Sequence, residues 1–204
     1  KAEKWMIERT RYTDGVAAIY PPMMYVIMAL DLLGYPKDHP DRVEAEQQFM
    51  NLIVNDERGF FFQPCFSVVW DTGIAGYALA ESGMIPDHAL SRSTDWLLTK
   101  EVRRRGDWSV KRPDVEPSGW YFEFANEFYP DIDDTAQVLL GLVQAPKTPE
   151  QQAAIERATK WLFAMQGSDG GWAAFDVDNN WEFLSSVPFA DHNAMLDPTC
   201  PDIT

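Results

Sequence analysis

The feature that most constrains the fold of this chain is an internal repeat. Three marks recur at offsets of 63, 65 and 64 residues, namely Asp71-Thr72 as Asp134-Thr135, Trp96-Leu97 as Trp161-Leu162, and Trp108 as Trp172. Each unit contains a helix, a linker, a second helix that carries Trp-Leu, and a turn that closes on another Trp. A weaker copy begins at Trp5-Met6. Because a helix pair cannot bury both of its faces alone, such units stack into a solenoid or, when closed, an α/α toroid.

Apolar periodicity and stop signals predict helices in three places. The three segments are Pro22–Leu33, Thr72–Ser82 and Pro149–Met165. The last has Thr148 as its N-cap and Gln151 at the capping-box position. Strand-like alternation is limited to Phe60–Phe62 and Trp120–Phe124. The sequence therefore predicts an all-α fold.

The repeat changes its spacing around residues 51–59, which indicates a boundary between two helical stacks. We place one unit at residues 1–55 and another at residues 56–204. Two and a half repeats leave a ring open. We therefore expect the chain to be a fragment, or its missing repeats to be supplied elsewhere.

Charge and cysteine content exclude several kinds of partner. The net charge is −15, from 17 basic and 32 acidic residues, which argues against a nucleic-acid partner. Cys65 and Cys200 make no disulfide framework and have no zinc-type spacing, and the three histidines are scattered, so no metal is expected. The apolar stretch from Pro21 to Leu30 is far shorter than the ~20 residues of a membrane span.

An acidic tetrad, Asp131-Ile132-Asp133-Asp134, precedes Thr135-Ala136 and an apolar run. Three carboxylates in four residues are costly to ionise together, so one of them is expected to keep its proton. Aromatic residues lie just upstream, which favours acid chemistry on an apolar substrate. The tetrad also has a purely structural interpretation, because Asp in a first turn caps a helix and suits its dipole. The sequence alone leaves both interpretations open.

Two motifs carry a resemblance to a known family. The stretch from Arg157 to Trp172 resembles the Gln-Trp repeat of triterpene cyclases, and the tetrad with Thr135-Ala136 is similar to their Asp-x-Asp-Asp acid motif. Other stretches resemble squalene–hopene cyclases in order and approximate spacing: Val69-Trp70-Asp71-Thr72-Gly73, Lys111-Arg112-Pro113, Tyr129-Pro130 and Phe175-Asp176-Val177-Asp178-Asn179. The resemblance covers essentially the whole chain. It implies an internal fragment that spans parts of two α/α barrels (α6-α6), namely the end of a first barrel and the first half of the catalytic barrel.

The resemblance implies cyclisation of squalene to hopene or hopanol, started by protonation of a terminal alkene, with no metal or organic cofactor. Asp133 matches the proton donor of the family, and Asp131 and Asp134 match its supporting carboxylates. The residues that match cavity positions are Trp70, Phe122 and Phe175, together with Ile19 near the wall. Phe175 stands where some family members carry Tyr.

The resemblance also implies partners for the whole protein. The donor of the family pairs with a histidine that follows an Asp-Val-Thr-Ala-like stretch; His192 lies too early to match, so the matching residue is expected beyond Thr204. The isolated chain is therefore expected to be inactive. A membrane surface, reached peripherally from the cytoplasmic side, and a homodimer are further expectations.

Alternatives remain in other classes. Class II diterpene cyclases share the acid motif but not the well-formed Gln-Trp repeat, and oxidosqualene cyclases normally lack the first acid, which Asp131 supplies. An α/α-toroid glycosidase would use paired carboxylates and aromatic sugar platforms. A non-catalytic helical-repeat binding module would leave Asp133 exposed. The cyclase interpretation instead expects Asp133 to be shielded from bulk water and turned toward Trp70 and Phe122.

Overall fold

The architecture is taken from a computed structural model that describes residues 1–84, 86–145, 147–188 and 195–204. His192 lies outside these ranges. The helices are α1 (Ala2–Arg11), α2 (Tyr20–Leu32), α3 (Pro40–Met50), α4 (Val68–Ser82), α5 (Asp87–Leu98), α6 (Ile132–Gln144) and α7 (Pro149–Ala164). Short 3₁₀ segments cover Val16–Ala18, Asp107–Val110 and Glu182–Ser186. The prediction of a helical fold is confirmed.

The three predicted helices correspond to α2, α4 and α7. The capping box that begins α7 is formed from both sides, since Gln151 N donates to Thr148 Oγ1 at 3.2 Å and Thr148 N donates to Gln151 Oε1 at 3.0 Å. Helix α4 ends at Gly83, whose φ of 66° lies in the left-handed region that glycine adopts readily. It starts four residues earlier than predicted.

Helices α4 and α6, which begin the two repeats, pack on each other more extensively than any other pair among the described residues. The two helices approach closely at two glycines, where an added side chain would have little room. A Cβ on Gly73 would lie 3.3 Å from Val138 Cγ2, and one on Gly141 would lie 3.4 Å from the Gly73 carbonyl oxygen. Helices α5 and α7 flank this inner pair, and Gln151 Nε2 of α7 donates to the buried Thr94 Oγ1 of α5 at 2.8 Å.

The repeated tryptophans pack inside the stack. Trp161 is fully buried, and its ring meets Trp108 edge-on at a centroid distance of 5.8 Å. Trp172 donates its indole N–H to the Leu162 carbonyl at 2.8 Å. The Trp172 contact ties the end of one repeat to its own second helix, and the Trp108 contact joins the end of the first repeat to the second helix of the next.

The strand candidates have different outcomes. Residues 60–62 lie in β2 (Gly59–Phe62), which pairs antiparallel with β1 (Ile53–Asp56). The prediction of a strand at 120–124 is wrong, because these described residues form only a single bridge, between Trp120 and Asp131. The alternating sequence there has another cause, because Trp120 is buried in the core and Phe122 lines a cavity, without a partner strand on either side among the described residues.

Residues near the start of the chain are held to the later repeats by a buried arginine. The guanidinium of Arg9 donates through Nε to Asp107 Oδ2 at 3.1 Å and through Nη2 to Asp107 Oδ1. The same group lies over the rings of Trp5 and Phe128, 4.3 and 4.6 Å from their centroids. Asp14 N also donates to the Ala125 carbonyl at 2.8 Å. The two predicted units are thus in direct polar contact.

Within the described ranges, no helix is long and apolar enough to cross a bilayer.

Candidate active site

The acidic tetrad forms the start of α6. Asp131 is the N-cap, and its Oδ1 accepts the backbone N–H of Asp134 at 2.7 Å. Thr135 Oγ1 donates to the Asp131 carbonyl at 2.6 Å and accepts the Trp120 N–H at 2.9 Å. The capping interpretation of the tetrad is therefore confirmed. It does not exclude acid chemistry, because the same carboxyl groups can do both.

Two of the three carboxyl groups are buried together. Asp131 and Asp134 are 4% and 2% exposed. Burial raises the pKa of Asp131 well above its usual range, and the adjoining carboxyl of Asp134 and the charge of Asp133 raise it further. Burial likewise raises the pKa of Asp134 to about 6. Each of the two buried carboxyl groups therefore keeps its proton to a higher pH than an ordinary aspartate does.

Asp133, unlike Asp131 and Asp134, is exposed. Together with Ala136 and Leu140 it belongs to an exposed face, at the three- and four-residue spacing of one helical face. The expectation that Asp133 is shielded from bulk water is therefore wrong for this chain. The reason is geometric, since each residue turns by about 100° along a helix, so the turn that buries Asp131 and Asp134 directs Asp133 outward.

The predicted aromatic residues are brought close to this helix start. The rings of Trp70 and Phe122 lie 6.0 Å apart, and Trp70 N donates to the Phe122 carbonyl at 3.4 Å. Phe175 is 46% exposed. It follows Ala174, whose carbonyl accepts the backbone N–H of Ile132, the first residue of α6, at 2.9 Å.

Four of the seven predicted site residues line one cavity of about 580 Å³. Its lining includes Ile19, Phe122, Phe175 and Asp131 from the predicted set. Trp70, Asp133 and Asp134 are not among its described lining residues. Further aromatic rings come from Trp108, Phe128 and Tyr129, and further acids from Asp107, Glu123, Asp176 and Asp197. The arrangement is an apolar, ring-lined space with carboxyl groups at its wall.

Glu123 is an acid of this wall that the sequence analysis did not single out. It is 8% exposed, and burial raises its pKa from the ordinary 4.5 to about 7, against a hydrogen bond from Asn126 that lowers it. That bond joins Asn126 Nδ2 to Glu123 Oε2 at 3.0 Å. The available signal was one acid enclosed by aromatic residues in Tyr121-Phe122-Glu123-Phe124. Near pH 7 this side chain is partly protonated, so the cavity has a second source of a neutral acid.

Among the described residues, no group of three or more His, Cys, Asp or Glu side chains is placed to hold a metal ion.

Comparison with known proteins gives matches along the whole chain. The family model described as the squalene-hopene cyclase N-terminal domain matches residues 1–58, and that of the C-terminal domain matches residues 66–204. A squalene–hopene cyclase of Bradyrhizobium diazoefficiens is 42% identical over 97% of this chain, and one of Schizosaccharomyces japonicus is 40% identical over 96%. A dammaradiene synthase of Dryopteris crassirhizoma is 40% identical over the full chain. This chain spans 31%, 31% and 30% of the length of these relatives, respectively.

Proposed function

The chain belongs to the squalene–hopene cyclase family, and we propose from this that the protein carrying it protonates a terminal alkene of squalene and guides the cation to hopene or hopanol. The observation that carries the proposal is the buried pair of Asp131 and Asp134, both with a raised pKa, beside an aromatic cavity of about 580 Å³. Only a neutral carboxyl group can donate a proton to an alkene, and the raised pKa values of the carboxyl groups on either side of Asp133 indicate that this helix start favours the neutral form of an acid.

The aromatic lining suits the second half of such a reaction. A cation that moves along a folded hydrocarbon needs an attractive surface that does not react with it. Faces of Phe, Tyr and Trp provide ~0.5 to 2 kcal/mol each for a cation, more when water is absent. Phe122 and Phe175 line the cavity, and Trp70 lies behind Phe122.

We assign the donated proton to Asp133, with Asp131 and Asp134 as the carboxyl groups that support it. The exposed side of α6 on which Asp133 lies continues through Leu140 and Val143, which are 44% and 43% exposed. An apolar helix face next to an acid is suited to being covered by further helices. In a protein of family length this cover would remove Asp133 from water, which donation to an alkene requires.

The exposure of Asp133 agrees with the non-catalytic alternative as far as the chain by itself is concerned. We therefore propose that the 204-residue chain alone does not turn over squalene. For the whole protein, peripheral attachment to the cytoplasmic side of a membrane and a homodimer stay proposals, supported by the apolar nature of the substrate and by the family resemblance.

The test is squalene turnover by the protein of family length, measured by gas chromatography of the products. Asp133→Asn should lose turnover by about 100-fold or more, the share of a general acid, while circular dichroism shows the fold retained. Asp95→Asn, an exposed helical aspartate on α5, is the matched control and should keep full activity. Unchanged turnover in Asp133→Asn would remove Asp133 from the mechanism. Release of reducing sugar from a polysaccharide would instead support the glycosidase alternative.

A further inference from the structure

The carboxylate of Asp197 holds the backbone that carries Phe175. Asp197 Oδ1 accepts the N–H of Ala174 at 3.2 Å, and Oδ2 accepts the N–H groups of Phe175 and Asp176, both at 2.7 Å. Three consecutive backbone amides thus converge on one side chain. Hydrogen bonds to an ionised acceptor are shorter and stronger than neutral ones, so the loop is fixed at this point.

Asp197 is itself anchored across the chain. Its backbone N–H donates to the Asn179 carbonyl at 2.9 Å, and Asn179 Nδ2 donates to the Met195 carbonyl at 3.3 Å. Cys200 N donates to the Trp172 carbonyl at 2.9 Å. The segment 195–204 therefore lies along the loop as a backbone-paired support, and the position of the carboxylate does not depend on one flexible rotamer.

The same loop is tied to the acid motif from its other side. The Ala174 carbonyl accepts the N–H of Ile132, which stands between Asp131 and Asp133 in the sequence. A displacement of the loop would therefore move Phe175 relative to the start of α6. Because Phe175 is 46% exposed, packing around the ring restrains it only in part. The backbone contacts are what determine its place in the cavity.

We infer that Asp197 is a positioning residue, which sets the Phe175 ring at a fixed distance from the acids of α6 and thereby controls how far a cation is carried before it is released. The inference rests on the proposed function. Attraction between a cation and a ring falls off within a few ångströms, so a mobile ring stabilises the passing charge less. A cation that is less well stabilised is more often lost as a partly cyclised product.

The experiment uses the protein of family length with squalene, and it compares Asp197→Asn, Asp197→Ala, Phe175→Ala and the double variant Asp197→Ala/Phe175→Ala. The fraction of partly cyclised product should rise about two- to fivefold in Asp197→Ala, with a similar product pattern in Phe175→Ala. The double variant should match Phe175→Ala alone, because Asp197 acts through that ring. Effects that add in full would overturn the inference.

Asp178→Asn is the matched control. Asp178 accepts hydrogen bonds from Ser168 N and Oγ at 2.8 and 3.0 Å, which is a similar carboxylate contact nearby that involves none of the three amides held by Asp197. Its product pattern should remain that of the unmodified protein. A shift as large as that of Asp197→Ala would show that any loosened carboxylate contact in this region has the same effect, which would also overturn the inference.

Hydrogen–deuterium exchange gives a readout that needs no turnover. The peptide covering residues 173–177 should exchange about tenfold faster in Asp197→Asn, because the amide nitrogen of Asn cannot accept from the backbone N–H that it then faces. Residues 68–82 in α4 should exchange as before. Unchanged exchange at 173–177 would show that Asp197 does not restrain these backbone amides. If the unmodified protein fails to convert squalene, the proposed function fails, while this measurement still decides the role of Asp197.

Discussion

Replacing Glu123 with Gln measures how much the burial of an ionised carboxyl group in the cavity wall destabilises the folded chain. Gln has nearly the same shape and can still accept from Asn126 Nδ2, so the substitution removes only the titration. The pKa of Glu123 rises from 4.5 to about 7 on folding, and this difference corresponds to about 3 kcal/mol of stability that is lost at high pH.

The sign follows from proton binding. Because the folded state binds this proton more tightly than the unfolded chain, the contribution is fully present below pH 4.5, is lost as pH rises through about 7, and is level above that. Glu123→Gln should therefore be more stable than the unmodified chain by about 3 kcal/mol at pH 8.5, and by less than about 1 kcal/mol at pH 5.

Urea unfolding followed by tryptophan fluorescence, repeated between about pH 5 and 8.5, measures this difference. Glu127→Gln is the matched control, because Glu127 is an exposed acid four residues away, and its difference from the unmodified chain should stay constant with pH. The other titrating groups, including Asp131 and Asp134, cancel in the subtraction. A difference for Glu123→Gln that is equal at the two ends of the range would refute the buried-acid argument.

Three further predictions concern the repeat packing. Trp161→Ala should lower the free energy of unfolding by ~3 to 5 kcal/mol. Trp161→Phe should lower it less, because the indole N–H that is lost has no partner among the described residues. Urea unfolding measures both losses, and equal losses would contradict the argument. Gly119→Ala should lower the melting temperature by several degrees, because Gly119 has φ of 101° and its new Cβ would lie 2.9 Å from Thr135 Oγ1; an unchanged melting curve would exclude the clash. Thr148→Ala should lower the free energy of unfolding by ~1 kcal/mol. In a double-mutant cycle, the loss in Thr148→Ala/Gln151→Ala should be smaller than the sum of the two single losses, since both residues belong to one capping box. Strict additivity would argue against coupling within the box.

Local signals predicted α2, α4 and α7, because caps and apolar periodicity act over a few residues. The start of α7 is an example, since Thr148 and Gln151 satisfy each other within one turn. The start of α4 was set too late, because its N-cap Ser67 makes no side-chain capping hydrogen bond and the stretch lacks a clear start signal. The strand expected at 120–124 failed because alternation also arises in a loop that lies between a core and a cavity, as the burial of Trp120 and the cavity position of Phe122 show.

The acidic tetrad was singled out by its own charge pattern, whereas the other candidate site residues were named through the family resemblance. Ile19, Phe122, Phe175 and Asp131 line one cavity, as a cyclase interpretation needs. The outward direction of Asp133 could not be predicted, because it depends on the rotational setting of α6 against α4. Asp197 also escaped the sequence analysis, since its partners are backbone amides 21 to 23 residues away and leave no mark in the residue types.

The contact between Arg9 and Asp107 has a consequence for chimaeric proteins. Exchanging residues 1–58 between relatives would appear safe, because this is where one family region ends. Yet Arg9 lies in the exchanged part while Asp107, on the cavity wall, lies in the retained part. A donor sequence without a cation at position 9 would leave the Asp107 carboxylate at the cavity wall without its ionic partner. Successful recombination therefore has to move the two residues together.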